Sequence, residues 1–141
     1  MTNELDVEIV DEEKISNEIF SNKIFENRIL HFFTCLSNLY QVLERKGNKK
    51  ELMHAYVLGF RSILGIGIAL NAKDDLSYPG IDHISKNVET LLFDIYEKAI
   101  SLKYTLKDHV FYSMFSSYIV LGDTLGFNFE DVTYVYENGI K

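Results

Sequence analysis

The residues of this chain best suited to chemistry are its carboxylates, its four histidines and its single cysteine. Acids paired at i, i+3 on facing helices of a bundle can hold Mg²⁺ through oxygen ligands. Asp94 and Glu97 have that spacing, but they flank an apolar stripe, and Asp94 can pair with Lys98 at i, i+4 instead. Glu51 stands where a helix would be capped. Asp123 falls near a helix C-terminus, where the macrodipole disfavours an anion, so it is the odd acid of the set. Two long stretches, Arg28 to Leu43 and His54 to Ala72, contain no acid at all. His31, His54, His83 and His109 are scattered without an HxxxH or HExxH pair, and a metal site would require several to converge. The simpler reading makes each a boundary residue of an amphipathic helix. Cys35 has no evident histidine partner in sequence, lies close to an apolar face, and reads as a buried, inert thiol.

The stretch ELMHAYVLGFRSILGIGIAL, Glu51 to Leu70, is the most unusual. After its acidic start it is almost wholly apolar, with His54, Arg61 and Ser62 as the polar exceptions, and a helix of this kind is expected to be buried on most sides. Gly65-Ile66-Gly67 lies inside it rather than between a strand and a helix, so the glycines suit close helix approach better than a phosphate loop.

The elements that would position these residues are helical. At 141 residues the chain fits one domain with a real core, and one proline, no tryptophan, ten Phe and nine Tyr suit a helical protein with an aromatic interior. Residues 1 to about 10 lack helical periodicity and read as a flexible acidic leader, leaving 11–141 as a single all-α domain. Between Arg28 and Glu44, Ile29, Phe32, Phe33, Leu36, Leu39, Tyr40 and Leu43 form the stripe of an amphipathic helix. Gly47 suits the left-handed position after it. Asn48 with Glu51 makes a capping box for a second helix, reaching about Asn71. Lys73 to Gly80 reads as the clearest interior loop. A third helix is expected from about Asp82 to Lys103, its inward face at Ile84, Val88, Leu91, Leu92, Ile95, Ala99 and Leu102. Thr105 with Asp108 suggests a cap opening a fourth helix to about Leu125, stopped by Gly126. Asn128 with Asp131 caps a short fifth, with Phe127 and Val132 as its hydrophobic staple. The expected architecture is an all-α, four- to five-helix antiparallel bundle.

Two stretches in this order resemble the dimeric all-α dUTPases, within the MazG-like NTP pyrophosphatase superfamily. Glu51 to Leu70 is similar, without gaps, to a helix of the pattern ELLEEYVDxLHFxLSIGLxL, through Glu51-Leu52, Tyr56-Val57, Leu64, Ile66, Gly67 and Leu70. LGDTLGFNFEDVTYVYENG, Leu121 to Gly139, resembles LGExLGFTxEEIxxAYxxKN through Leu121, Gly122, Leu125, Gly126, Phe127, Glu130 and Tyr134. The resemblance implies a Mg²⁺-dependent cleavage of a nucleoside triphosphate to monophosphate and pyrophosphate, with an ExxE on one helix and an ExxD on the next holding the metal. In this chain the ExxD acids fall on Ala55 and Leu58. CLSNL, Cys35 to Leu39, resembles the end of the first motif and puts the ExxE acids on Phe32 and Cys35; a gap-free alternative puts them on Arg28 and His31. Neither supplies a carboxylate. The chain also ends where the family would continue into a KNxxNxxRQ segment.

Clustered carboxylates repel one another and need a metal to offset the repulsion, so replacing them with Phe, Cys, Ala and Leu would turn a charged cavity into core. The resulting expectation is a degenerate member of the family, a non-catalytic homodimer acting as a binding or regulatory module, by analogy prophage-associated, with no cofactor and no metal. The alternative is a metal-dependent nucleotide pyrophosphatase with a rebuilt site, using Mg²⁺ and drawing on Glu51, His54, Asp94 or Asp123, with Arg61 beside it. Similarity through bundle patterning alone would leave a structural helical protein. A net charge of −7 with no Lys/Arg stripe argues against nucleic acid and favours a basic protein partner. The acidic N-terminus lacks the pattern of a signal peptide. The apolar run from Ala55 to Leu70, interrupted by Arg61, falls short of the ~20 residues that span a bilayer. A soluble, cytoplasmic protein is expected.

Overall fold

The computed structural model describes the backbone of residues 2–71 and 87–139, with side chains from residue 22. Five α-helices follow in order: α1 Thr2–Glu44, α2 Lys49–Leu70, α3 Val88–Thr105, α4 Asp108–Thr124 and α5 Phe129–Asn138, with no strand among the described residues. The protein is an all-α bundle. The expected loop at Lys73 to Gly80, the residues 82–86 given to the third helix, and His83 lie outside the described residues.

Short connections make two hairpins, α1 with α2 and α3 with α4, and these are the most extensive helix pairings. Helix α1 also packs on α3, while α5 lies against α2 and α4. Between them sits one apolar core in which Phe32, Leu36, Leu39, Tyr56, Ile63, Ile66, Leu91, Ile95, Leu102, Phe111, Met114 and Tyr118 are fully enclosed. The stripe read along α1 is therefore real at Ile29, Phe32, Leu36 and Leu39, with Phe33 packed at its margin and Tyr40 exposed.

Helix ends show where local sequence decided and where it was overruled. Asn48 and Asn128 cap as expected, their side chains accepting from the Glu51 and Asp131 amides at 2.9 and 2.7 Å. Phe127 and Val132 are both buried beside that second cap. At the end of α1, Lys46 rather than Gly47 takes the left-handed conformation (φ 56°). The Gly47 amide then reaches the Val42 carbonyl and the Lys46 amide the Leu43 carbonyl, a Schellman arrangement that puts Gly47 one position too late. Gly126 does occupy the left-handed position after α4 (φ 90°).

Helical backbone extends from Thr2 although the first ten residues lack amphipathic periodicity; that pattern shows what a helix face packs against, not whether the backbone coils. Two expectations are corrected. Helix α3 starts at Val88, because Asn87 is extended and its side chain accepts from the Thr90 amide at 2.7 Å. Thr105 is the last residue of α3 rather than a cap for α4. Leu106 turns left-handed (φ 55°) to end α3, and Lys107 starts α4 without a side-chain cap.

Helix α2 is longer than its apolar run suggested. Within its 22 residues an 18-residue stretch, mean hydropathy 1.5, is long and apolar enough to cross a bilayer, but half of that stretch is buried within the bundle, as in a core helix.

Candidate functional site

The positions at which the resemblance calls for metal ligands lie on the α1–α2 hairpin. Phe32 is fully enclosed and meets Tyr118 edge-on, with ring centroids 5.7 Å apart. Cys35 and Ala55 are also buried, whereas Leu58 is 36% exposed. Three of these side chains have no metal donor, and the fourth is a thiol that burial pushes above its ordinary pKa, against a partial lowering by Ser62. A hard cation seeks oxygen ligands, so these residues do not fit Mg²⁺. The thiol is not isolated, however: the Cys35 Sγ lies 3.9 Å from the His31 Nδ1, one helical turn back. The i, i+4 spacing of His31 and Cys35 was the available signal for that neighbour.

The remaining polar candidates are not brought together. Among the described residues no group of three or more His, Cys, Asp or Glu could hold a metal ion. Glu51 pairs with Arg45, whose guanidinium is the main cause holding the carboxylate below its ordinary range, with the Asn48 amide helping. His54 and Arg61 are exposed rather than buried, so they mark the one face of α2 that the bundle leaves outside. Asp123 is exposed at the end of α4.

Asp94 does pair with Lys98, at 2.9 Å, and a residue the sequence gave no reason to select joins them. The Lys98 ammonium donates to the Ser117 Oγ at 2.7 Å, and that hydroxyl donates to Asp94 at 2.8 Å. A serine beside a lysine suggests nucleophile and base. Here the ammonium is held by the Asp94 carboxylate and the serine hydroxyl donates to that same carboxylate, so the trio works as a polar clasp between α3 and α4.

What the structure does gather is a groove of about 550 Å³ between α1 and α2. Arg28 and His31 line it from α1, and Leu58, Arg61, Ser62 and Gly65 from α2. The i, i+3, i+4, i+7 spacing of the α2 set keeps it on one face. The Arg28 guanidinium donates to the Gly65 carbonyl at 3.3 Å. It can do so because Gly65 has no side chain: a Cβ there would lie 2.8 Å from that nitrogen. The His31 Nδ1 is 3.2 Å from the Ser62 Oγ, and Arg61 lies over the Tyr136 ring at 5.8 Å. Thus Leu58 and Arg61 line the same groove as Arg28 and His31, the pair reached only by the alternative placement of the first motif.

No protein family, curated protein or solved structure matches this chain.

Proposed function

We propose that this chain is a non-catalytic, dUTPase-like helical protein acting in the cytoplasm as a homodimeric binding or regulatory module. The observation that carries the reading is the packing of Phe32, Cys35 and Ala55 into the core at positions where the resemblance requires metal-binding carboxylates. A nucleoside triphosphate carries clustered negative charge, and its hydrolysis in this family depends on Mg²⁺ to neutralise that charge and position water. A phenyl ring, a protonated thiol and a methyl group supply neither service. The rebuilt-site alternative gains no support, since Glu51 is engaged by Arg45 and Asp94 by Lys98 and Ser117.

The test is a pyrophosphate-release assay on the purified chain with Mg²⁺ or Mn²⁺, run over dUTP, dCTP and the common NTPs. The expected rate is the uncatalysed background for every substrate. Metal-dependent turnover abolished by Glu51→Ala would overturn the proposal and establish the rebuilt site instead.

A further inference from the structure

We infer that the α1–α2 groove is a metal-free binding site for a small organic phosphate. The chain carries a net charge of −7, yet this groove is cationic: Arg28 and Arg61 face it, and no carboxylate lines it among the described residues. Among the described residues neither guanidinium is paired with an acid, although Arg45, Lys98 and Lys103 each are. An anion in the groove would meet arginines from both adjoining helices, with no acid of the described lining to offset them. Their planar forks match phosphate oxygens in a way a point charge does not.

The polar side chains are also held in place. Arg28 is anchored on the Gly65 carbonyl, His31 on Ser62, and Arg61 on the face of Tyr136. Positioned donors lose less freedom on binding. Asn27 and the Ser62 hydroxyl add neutral donors, while Ile24 and Leu58 form an apolar wall. A volume of about 550 Å³ exceeds what one phosphate group needs and falls in the range of small-molecule sites, so an organic portion would lie along that wall. The inference stands on the groove itself and does not depend on the dUTPase resemblance.

The probes are inorganic pyrophosphate and a nucleoside diphosphate, each titrated in EDTA and followed by amide shifts in ¹H–¹⁵N NMR spectra. Saturable shifts at groove residues are expected, with pyrophosphate alone sufficient if the anion dominates and the diphosphate required if the organic portion contributes. Arg28→Gln with Arg61→Gln should weaken binding about ten-fold or more. Lys49→Gln with Lys50→Gln, which removes as much charge outside the groove, should leave it within about two-fold. Arg61→Gln alone, whose side chain only rests on a ring, keeps the comparison available if the double variant misfolds. Absence of saturation by both probes, or equal weakening by the two double variants, would overturn the site. Since no turnover is measured, this result is separate from that of the pyrophosphate-release assay.

Discussion

Tyr56 and Tyr118 clasp α2 to α4 by a reciprocal exchange. Their rings stack at 4.5 Å and 4° in the middle of the core, and each hydroxyl donates to the other residue's backbone carbonyl. Close approach requires Gly59 under the Tyr118 hydroxyl and Gly122 under the Tyr56 hydroxyl, where any Cβ would collide. Alanine at Gly59 would gain about 1 kcal/mol of helix propensity but should lose more by overpacking, since burial leaves the ring nowhere to retreat; a net loss of about 1–2 kcal/mol is expected in urea unfolding. Tyr118→Phe should cost about 1 kcal/mol for its lost hydrogen bond. The decisive measurement is the double variant. Removing the hydroxyl also removes the obstacle to the new methyl, so Gly59→Ala with Tyr118→Phe should fall short of the summed losses by about 1 kcal/mol. Strict additivity would mean that the two residues do not touch. This clasp was hidden in sequence because Tyr56 and Gly59 read as ordinary members of an apolar helix; only the facing helix reveals why they are a tyrosine and a glycine. The same limit applies at the groove, where Arg61 was visible as an anomaly but its neighbours Arg28 and Gly65 come from other turns and another helix.

Elements were legible wherever the signal was local. Asn48 and Asn128 stand immediately before amphipathic runs, and their side chains reach amides three residues on, so the starts of α2 and α5 follow from sequence alone. The α3–α4 junction departs from its local signal: Thr105 offers a good capping side chain, but packing of Leu102 in the core carries α3 past the position where that side chain could act. The result is an uncapped α4, with Lys107 at its N-cap, a cation where the helix dipole favours a neutral acceptor or an anion. Lys107→Ser should therefore stabilise the protein by about 0.5–1 kcal/mol, whereas Asn128→Ala should destabilise it by about 1 kcal/mol. Thermal unfolding monitored by circular dichroism reads both, with opposite signs. A lower melting temperature for Lys107→Ser would show that the lysine makes a contact more valuable than a cap.

At the scale of the whole molecule, burial of protonated acids sets the response to alkali. Tyr118 is pushed well above the ordinary phenol range by desolvation and by Tyr56, and burial also raises Tyr96 and the Cys35 thiol. An acid that titrates higher when folded loses its proton first in the unfolded chain. The associated stability is thus intact below the ordinary thiol and phenol values of about 8.5–10 and falls as pH rises through them. Urea unfolding across that range should show the decline, and Tyr118→Phe should flatten it. The proposed homodimer needs an apolar face to pair through. Phe93, Ile100 and Tyr104 are 71%, 48% and 75% exposed, and their i, i+7, i+11 spacing places them along one outward face of α3. Large apolar side chains aligned in this way mark an interaction surface more than isolated exposed residues do. A second copy, matching this face across a two-fold axis, would cover both stripes at once, as isologous dimers do. Sedimentation equilibrium should then give a dimer, and Phe93→Asp with Tyr104→Asp should give a folded monomer, since neither side chain contributes to the core. A wild-type chain that sediments as a monomer at high concentration would remove the homodimer from the proposed function. A dimer unaffected by the two aspartates would move its interface away from α3.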